Sequence, residues 1–353
     1  MLRLWWLCWL AGRSLLAWAR LSEEQYAGGR NDRGCKGVLE YPCVCDQVSV
    51  ECVNGQFITD EVFLNVGIHF SYLERVAFHG NNFNNLGGAT GHLFGAGVRH
   101  PRLLNLNLSA NYIVKIHPQA FLGLPKLTDL DLSNNELYLS EPESLPLLQP
   151  LPKLQRLYMK KAFSRPSDFD SNSTSYQLEI LEEVFKTAKL EKLTLLDLSW
   201  NFLRFVPHNF ACSLPALTHL YFRNNFLDTL NLNSSCLSKL QLLDLRGNSI
   251  QQLGMGFRLT AAALPPYALL MEYNDFHCDC HSEPGLLWLR SSTAIRDADT
   301  LKCRLASPPR FKGASLMKLP LEQLDCATVL SAALARDAGS TCLLLSIAAC
   351  LRL

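Results

Sequence analysis

The chain has 353 residues, of which 48% are hydrophobic, and its 33 basic side chains nearly balance 32 acidic ones. This length accommodates one large domain or two small ones. A near-neutral chain has neither a strong basic field nor an acidic tail, and this balance argues against a nucleic-acid-binding protein.

The first residues predict a secretory signal. Residues 1–19 start with a basic side chain, continue through an apolar stretch and end in A-W-A at Ala19, although Arg13 interrupts the stretch. This arrangement is typical of a signal peptide. A short membrane anchor is the alternative, but Leu4 to Gly12 is nine residues, against the roughly 20 that span a bilayer. Export favours pairing of the cysteines that remain once Cys8 is removed.

One motif, L-x-x-L-x-L-x-x-N-x-L, recurs through the middle of the chain. Five good copies contain the asparagines Asn111, Asn135, Asn201, Asn225 and Asn248, and weaker copies surround Asn81, Asn274 and, with alanine in the asparagine position, Ala162. This is the leucine-rich repeat pattern, in which L-x-L is a short strand with alternate side chains in the core. The buried asparagine amide must bond to backbone groups. The pattern predicts an α/β repeat fold, a leucine-rich repeat solenoid with a curved parallel sheet whose two ends need caps.

The repeat rhythm breaks between Asn135 and Leu193. The stretch after Asn135 is proline-rich, and the polar segment 165–175 predicts an exposed loop. Together they predict an insertion in the repeats at about 140–192. Apolar residues at near-helical spacing then predict a short amphipathic helix on the convex side. They are Leu178, Leu181, Val184, Phe185, Ala188 and Leu190.

Cys212 and Cys236 each follow their repeat's asparagine by 11 residues. Because they occupy the same position in neighbouring repeats, the two cysteines are expected on adjacent turns, with their Cα atoms at a separation that suits a disulfide. Two buried free thiols are the alternative.

Residues 275–281 read D-F-H-C-D-C-H and pose the question of a metal site. Structural zinc prefers two to four residues between paired cysteines, so one intervening residue is too tight. The segment instead fits the first half of a C-terminal cap, with His277 and His281 as flanking surface residues.

Residues 327–353 form an apolar tail. Its last run, Cys342 to Cys350, is too short to span a bilayer. Small residues at Ser331-Ala332-Ala333 followed by a spacer and an apolar end favour a GPI-anchor signal. A secreted protein with a frayed end and a lost transmembrane segment are the alternatives.

Three sequons predict glycosylation at Asn107, Asn172 and Asn233, each on exposed surface. Asn107 alternates with core leucines, so it is expected on the concave face, where a glycan would block part of that face.

Outward positions on the concave face are the candidate protein-binding residues, because exposed Trp, Tyr and Arg dominate binding energy. Trp200, Tyr221 and Arg223 are expected to form one patch; Trp200 folding over the asparagine ladder is the alternative. The full set is Tyr158, Lys160, Lys161, Trp200, His219, Tyr221, Arg223, Arg246 and Tyr273.

No catalytic motif of the nucleophile-elbow, phosphate-loop or zinc-helix type occurs in the sequence. Asp131 and Asp197 both face outward, but nothing marks them as acid and base. Glu182 and Glu183 are interpreted as solvated charges. A binding protein is therefore expected, with no enzyme activity, cofactor, metal or small-molecule substrate.

The whole pattern resembles the trophoblast glycoprotein family, the Wnt-inhibitory leucine-rich repeat proteins of the cell surface. The resemblance covers roughly residues 35–326 and rests on the N-L-S strand at Asn107, the interruption midway, and Glu272-Tyr273-Asn274 leading into C-D-C and L-L-W-L-R with Trp288. It implies a cysteine-rich N-terminal cap at 35–66, repeats at 67–276 and a cysteine-rich C-terminal cap at 277–326. The cysteines at both ends resemble the flanks of extracellular leucine-rich repeat proteins in general, and this resemblance implies the disulfides Cys35–Cys45, Cys43–Cys52, Cys278–Cys303 and Cys280–Cys326. The trophoblast glycoprotein family has a transmembrane helix and a cytoplasmic tail, and neither is expected in this sequence.

The function implied by the resemblance is inhibition of Wnt/β-catenin signalling at the extracellular face of the plasma membrane, through a component of the Wnt receptor complex. A neuronal-type adhesion or guidance protein, binding an adhesion partner, uses the same scaffold and shares every motif. A matrix-associated repeat protein is the third hypothesis, and the C-x-C cap argues against it.

Overall fold

The computed structural model describes residues 34–88, 91–165 and 173–326. The signal at 1–19, Cys8, the sequon asparagine Asn172 and the tail at 327–353 lie outside these residues. Within them, no helix is long and apolar enough to cross a membrane.

The central feature is one ten-stranded sheet in which β1 pairs antiparallel to β2 and every later neighbour is parallel. The leucine-rich repeat solenoid predicted from the sequence is thereby confirmed. In spatial order the strands are β1 (Cys43–Cys45), β2 (Ser49–Val53), β3 (Arg75–His79), β5 (Asn105–Asn107), β7 (Asp129–Asp131), β8 (Arg156–Tyr158), β9 (Leu195–Asp197), β10 (His219–Tyr221), β11 (Leu242–Asp244) and β12 (Leu269–Leu270). Two small two-stranded sheets pair β4 (Asn85–Leu86) with β6 (Lys115–Ile116) and β13 (His277–Cys278) with β14 (Leu305–Ala306).

The helices lie outside the main sheet and differ between repeats. They are α1 (Val62–His69), α2 (Ser173–Ala188), α3 (Met255–Ala262) and α4 (Glu283–Ser291). Trp288 of α4 packs edge-on against Phe257 of α3, with ring centroids 6.1 Å apart. This contact joins the C-terminal cap to the last repeats.

The middle residue of each three-residue strand points into the core and is buried. Leu106, Leu130, Leu157, Leu196 and Leu220 stack directly above one another through the strand register. Each buried leucine side chain contributes about 1.5–3 kcal/mol relative to full exposure. No single repeat encloses its own leucine, so the stack is stable only as an array.

The asparagines form a second buried ladder that bonds each repeat to the one before it. The Asn225 side-chain oxygen accepts from the backbone N–H of Asn201 at 2.8 Å and of Leu203 at 3.2 Å. Its amide nitrogen donates to the Leu198 carbonyl at 3.0 Å. One side chain thus satisfies three backbone groups where the chain leaves the strand.

The repeat array continues through the region expected as an insertion at 140–192. Strand β8 pairs in register with β7 and β9, so the degenerate copy around Leu157 is a full member of the sheet. Ala162 stands in the asparagine position, and its N–H donates to the Asn201 side-chain oxygen at 2.8 Å. The extra chain length therefore lies in the connection between β8 and β9.

Helix α2 is that extra length. Its buried side chains Leu178, Leu181, Val184 and Phe185 match the amphipathic helix predicted from the spacing. Glu182, however, is not a solvated charge: it is 7% exposed, and Lys186 one turn later donates to its carboxylate at 2.8 Å. Its position between Leu178 and Phe185 places it on the packed face.

Disulfides close both ends of the array. The N-terminal cap contains Cys35–Cys45 and Cys43–Cys52. The C-terminal cap contains Cys278–Cys303 and Cys280–Cys326. These are the pairings that the resemblance to the flanks of extracellular leucine-rich repeat proteins implied.

The D-F-H-C-D-C-H segment belongs to the C-terminal cap. Both of its cysteines form disulfides, so neither sulfur is a thiolate ligand. Asp279 begins the following turn in a reciprocal capping box with Ser282. In the described part of the chain, no group of three His, Cys, Asp or Glu side chains is placed to hold a metal ion.

Candidate partner-binding surface

A single row of outward side chains crosses the concave face of the sheet. Strand register places the third residue of each strand beside its equivalents in the neighbouring strands. Neighbouring strands are about 4.8 Å apart, so these side chains touch a common surface. In order they are Asn107, Asp131, Tyr158, Asp197, Tyr221 and Asp244. Acidic and aromatic side chains alternate over the last five positions, and we call these five the central row.

The aspartates of the central row are partly committed to the backbone. Asp131 accepts from the Ser133 N–H at 2.8 Å, and Asp197 accepts from the Ser199 N–H at 2.9 Å. Short polar side chains form this bond to the residue two positions later, and it shapes the turn after the strand. The two carboxylates therefore have a structural task in these turns.

Asp244 is the most buried member of the row, at 1% exposed. The Arg246 guanidinium donates to both of its oxygens, at 2.9 and 2.6 Å. Donation of these hydrogen bonds to the Asp244 carboxylate raises the pKa of Arg246. Asp244 is thus in an ion pair with Arg246, whereas Asp131 and Asp197 form no ion pair within the described residues.

Tyr158 and Tyr221 flank Asp197 on the two neighbouring strands and are half-buried. Burial raises the pKa of both phenols, and the neighbouring aspartates raise it further. Both hydroxyls consequently stay protonated at neutral pH and can donate as well as accept. The His219 ring lies nearly parallel to the Tyr221 ring, with centroids 6.4 Å apart.

Six of the nine candidate binding residues are not on the strands. The structure places only Tyr158, His219 and Tyr221 there, because each strand has three residues and the chain turns immediately afterwards. The expectation that all nine lie on the concave strands is therefore wrong. The six that lie in the turns at the carboxyl edge of the sheet are Lys160, Lys161, Trp200, Arg223, Arg246 and Tyr273.

A left-handed backbone residue precedes the ladder asparagine in every repeat and produces this turn. Lys161, Trp200 and Tyr273 occupy that position, with φ of 49°, 64° and 64°. The position holds Asn224 and Gly247 in other repeats, residue types that tolerate positive φ. The backbone thus turns these three side chains away from the strand and onto the edge of the sheet.

Trp200 and Arg223 meet at this edge over Asn224. In the amide orientation that satisfies both partners, the Asn224 oxygen accepts from the Trp200 indole N–H at 3.1 Å and from the Arg223 Nε at 3.3 Å. Trp200 remains 50% exposed. The ring thus presents a fixed apolar face to solvent, beside a guanidinium and one strand away from Tyr221.

The sequence interpretation missed two aromatic residues that extend this patch. Phe202 and Phe226 follow the ladder asparagines of adjacent repeats, and their rings are 6.0 Å apart. Phe226 is 50% exposed, and the Arg165 guanidinium lies 5.8 Å from the Phe202 ring. Their shared position, one residue after the asparagine, was available from the repeat alignment.

The convex side has the remaining cysteine pair. Cys212 and Cys236 form a disulfide across adjacent repeats, with Cα atoms 4.8 Å apart.

Two of the three sequon asparagines lie in the described residues. Asn233 caps the turn before Cys236, where its side-chain oxygen accepts from the Ser235 N–H at 3.2 Å. Asn107 is half-buried on β5, next to the central row, and its oxygen accepts from the Ser109 N–H at 2.9 Å.

Comparison with known proteins identifies the repeats and shows which proteins the chain is similar to. The family model for the leucine rich repeat matches residues 101–161. Trophoblast glycoprotein of Macaca fascicularis is 27% identical over 299 residues, which cover 82% of this chain and 67% of the relative. The human trophoblast glycoprotein is 26% identical over the same shares of both chains. Leucine-rich repeat and fibronectin type-III domain-containing protein 4 of Mus musculus is 34% identical over 143 residues, which cover 39% of this chain and 21% of the relative.

A solved structure shows the same fold. The crystal structure of human trophoblast glycoprotein, also named Wnt-activated inhibitory factor 1, superposes with a TM-score of 0.67 at 24% identity. The match covers 83% of this chain and 99% of that one.

Proposed function

We propose that this chain, a leucine-rich repeat protein related to trophoblast glycoprotein, binds a protein partner at the extracellular face of the plasma membrane and inhibits Wnt/β-catenin signalling. The human relative of matching structure has the second name Wnt-activated inhibitory factor 1, and this name supports the signalling part of the proposal. The partner would be a component of the Wnt receptor complex.

The binding proposal rests on the central row together with the side chains at the carboxyl edge of the sheet. Tyr158 and Tyr221 stand on both sides of Asp197, and Trp200 and Arg223 converge on Asn224. Tyr, Trp and Arg are the residue types that dominate interface energies. The Trp200 and Arg223 side chains are already held by hydrogen bonds to Asn224, so these two lose little side-chain freedom when a partner binds.

The five disulfides support a location in the secretory pathway. Structural disulfides persist in oxidising compartments and outside the cell. The segments proposed to direct export and GPI attachment, 1–19 and 327–353, lie outside the described residues.

We propose binding rather than catalysis as the activity of the concave face. Asp131 and Asp197 are each tied to a backbone N–H, and Asp244 is tied to Arg246. A general base needs a free carboxylate beside a proton that it removes. These carboxylates instead hold the turns that shape the surface.

A β-catenin reporter in Wnt-stimulated cells tests the proposal. We expect the full chain to lower the signal, and Tyr158→Ala/Tyr221→Ala to remove that inhibition while reaching the surface in equal amount. Tyr41→Ala/Tyr176→Ala is the matched control, because these tyrosines are 80% and 52% exposed and lie away from the central row. An unchanged reporter with wild-type protein present at the surface would refute Wnt inhibition.

Cell adhesion is the second candidate, and the exposed rings of Trp200 and Phe226, with Phe202 packed against Phe226, favour it. Non-adherent cells expressing the chain should then aggregate, and Trp200→Ala should disperse them. Aggregation without reporter inhibition would select adhesion over Wnt signalling.

Glycosylation at Asn107 would confine the partner to one part of the concave face. Asn107 neighbours Asp131 in the strand register, so a sugar there covers the N-terminal side of the central row. We therefore place the partner over Tyr158 and Tyr221. Asn107→Gln should leave reporter inhibition intact and shift the apparent mass by one glycan.

A further inference from the structure

A row of basic side chains follows the opposite edge of the sheet from Trp200. Strand register aligns the first residues of β5, β7, β8, β9, β10 and β11. Three residues before each of these first residues, the chain has a cation in five repeats and alanine in one. In spatial order the positions are Arg102, Lys126, Lys153, Lys192, Ala216 and Lys239. We call the five cations the basic row.

Each cation is fixed by the same local turn. Lys126 lies between the buried Leu124 and Leu127, and the Leu127 N–H donates to the Leu124 carbonyl at 3.2 Å. The corresponding bond around Lys153 joins Leu154 to Leu151 at 3.1 Å. Because both ends of the turn are buried in the leucine stack, the lysine between them points outward and its Cα is held in place.

The row is exposed to solvent, and the Glu191 carboxylate next to Lys192 offsets only part of its positive charge. All five side chains are exposed, and none forms an ion pair with a carboxylate of residues 34–88, 91–165 or 173–326. Lys153 lies close enough to Lys192 to lower the pKa of the Lys192 ammonium. Like charges held this close favour an anion that neutralises both.

The dimensions of the row select a thin, linear ligand. Five steps at a strand spacing of about 4.8 Å give a length of roughly 24 Å. The row is one side chain wide, and it lacks the interleaved aromatic side chains on which nucleic-acid bases would stack, except for Tyr72 beneath Arg102 at its end. The disulfides place the chain in an oxidising compartment, where the abundant linear polyanions are sulfated polysaccharides.

We propose that the basic row binds a sulfated glycosaminoglycan chain lying along the edge of the solenoid. The sulfate groups pair with successive ammonium groups, and the concave face stays free for a protein partner. The site does not depend on the proposed signalling function, because it uses a different edge of the sheet.

Heparan sulfate oligosaccharide binding to the full chain, measured at 0.1 M NaCl, tests this site. We expect Lys126→Glu/Lys153→Glu/Lys192→Glu to raise the Kd at least tenfold and to elute from immobilised heparin at lower salt. The matched control is Lys115→Glu/Lys312→Glu/Lys318→Glu, which changes three exposed lysines elsewhere. The control should change the Kd less than twofold, since a Debye length of about 10 Å screens distant charges.

A variant that completes the row should bind heparan sulfate more tightly, the opposite of the effect of the charge reversals. Ala216 is the one gap, so Ala216→Lys should tighten binding, while Gln119→Lys adds the same charge away from the row and should not. Retained thermal stability in each variant separates loss of the site from loss of the fold. Equal loss in both triple variants, no gain from Ala216→Lys, or tighter binding of single-stranded DNA than of heparan sulfate would each overturn the proposal.

Discussion

His100 occupies a leucine position in the core, and replacing it should stabilise the protein. It lies five residues before the first residue of β5, where Leu124 and Leu151 stand in the next repeats. It is 1% exposed, and neither ring nitrogen has a hydrogen-bond partner. The ring packs edge-on against Phe94 with centroids 4.6 Å apart. His100→Leu therefore puts an apolar side chain where the repeat normally has one.

The expected gain at pH 7.5 is about 1–3 kcal/mol in the free energy of unfolding, the usual cost of leaving a buried polar group unsatisfied. Burial also lowers the pKa of His100 in the folded protein. The unfolded chain takes up a proton from about pH 6.5 downward, while the folded chain resists it. Stability of the wild type thus falls as pH falls, by up to about 1.4 kcal/mol per pH unit.

Urea unfolding of the disulfide-intact chain at pH 7.5 and pH 5.5 measures both effects. We expect His100→Leu to be more stable at both values, and its advantage to grow by about 1 kcal/mol at pH 5.5. His69→Leu is the control, since His69 is exposed at the end of α1. If His100→Leu exceeded the wild type in stability by the same amount at both pH values, the buried imidazole would not be neutral in the way we infer. If it were no more stable at either pH, the claim that residue 100 occupies a leucine position would be refuted.

Three further predictions follow from the ladder, the convex disulfide and the central row. Asn201→Ala removes side-chain hydrogen bonds to three backbone groups of the preceding repeat, at Met159, Ala162 and Phe163, and should lower the urea unfolding free energy by about 3 kcal/mol; no change would show that water replaces the amide. Cys212→Ala/Cys236→Ala opens a link between residues 24 apart and should cost about 3 kcal/mol in thermal denaturation; an unchanged Tm would contradict the entropic argument. Asp197→Asn should lower the pKa of the two flanking tyrosines in an ultraviolet titration, because it removes a negative neighbour of both.

The repeat fold was predictable because few arrangements satisfy its pattern. Leucines at alternate positions and an asparagine at constant phase bury apolar and amide groups together only in a stacked parallel sheet. That constraint holds even at Ala162, where the backbone N–H still bonds to the next asparagine. The flank disulfides, in contrast, came from the resemblance to extracellular leucine-rich repeat proteins, since spacing does not determine connectivity.

The candidate surface was harder to predict because its geometry depends on where the strands end. The repeat pattern does not state that the backbone turns after three residues, so Trp200 and Tyr273 were expected on the strand. The signal was nonetheless present, since Asn224 and Gly247 hold the equivalent position and both tolerate positive φ. Aligning the repeats would have located the turn.

The basic row was equally visible and equally missed. The segments P-R-L, P-K-L, P-K-L, E-K-L and S-K-L precede β5, β7, β8, β9 and β11, with Lys126 and Lys153 in the two P-K-L copies. Each lysine alone is an ordinary surface charge. Only the strand register, which places the segments side by side, shows that the charges form a line.

Binding of the purified chain to Wnt-responsive cells that lack glycosaminoglycans tests the central claim most directly, because the basic row then contributes nothing. We predict that Tyr158→Ala/Tyr221→Ala binds at least tenfold more weakly than wild type, as truncation of interface anchors costs about 2 kcal/mol or more. Tyr41→Ala/Tyr176→Ala should bind as wild type does. Equal binding by the wild type and both double variants would contradict the assignment of the concave face as the partner-binding surface.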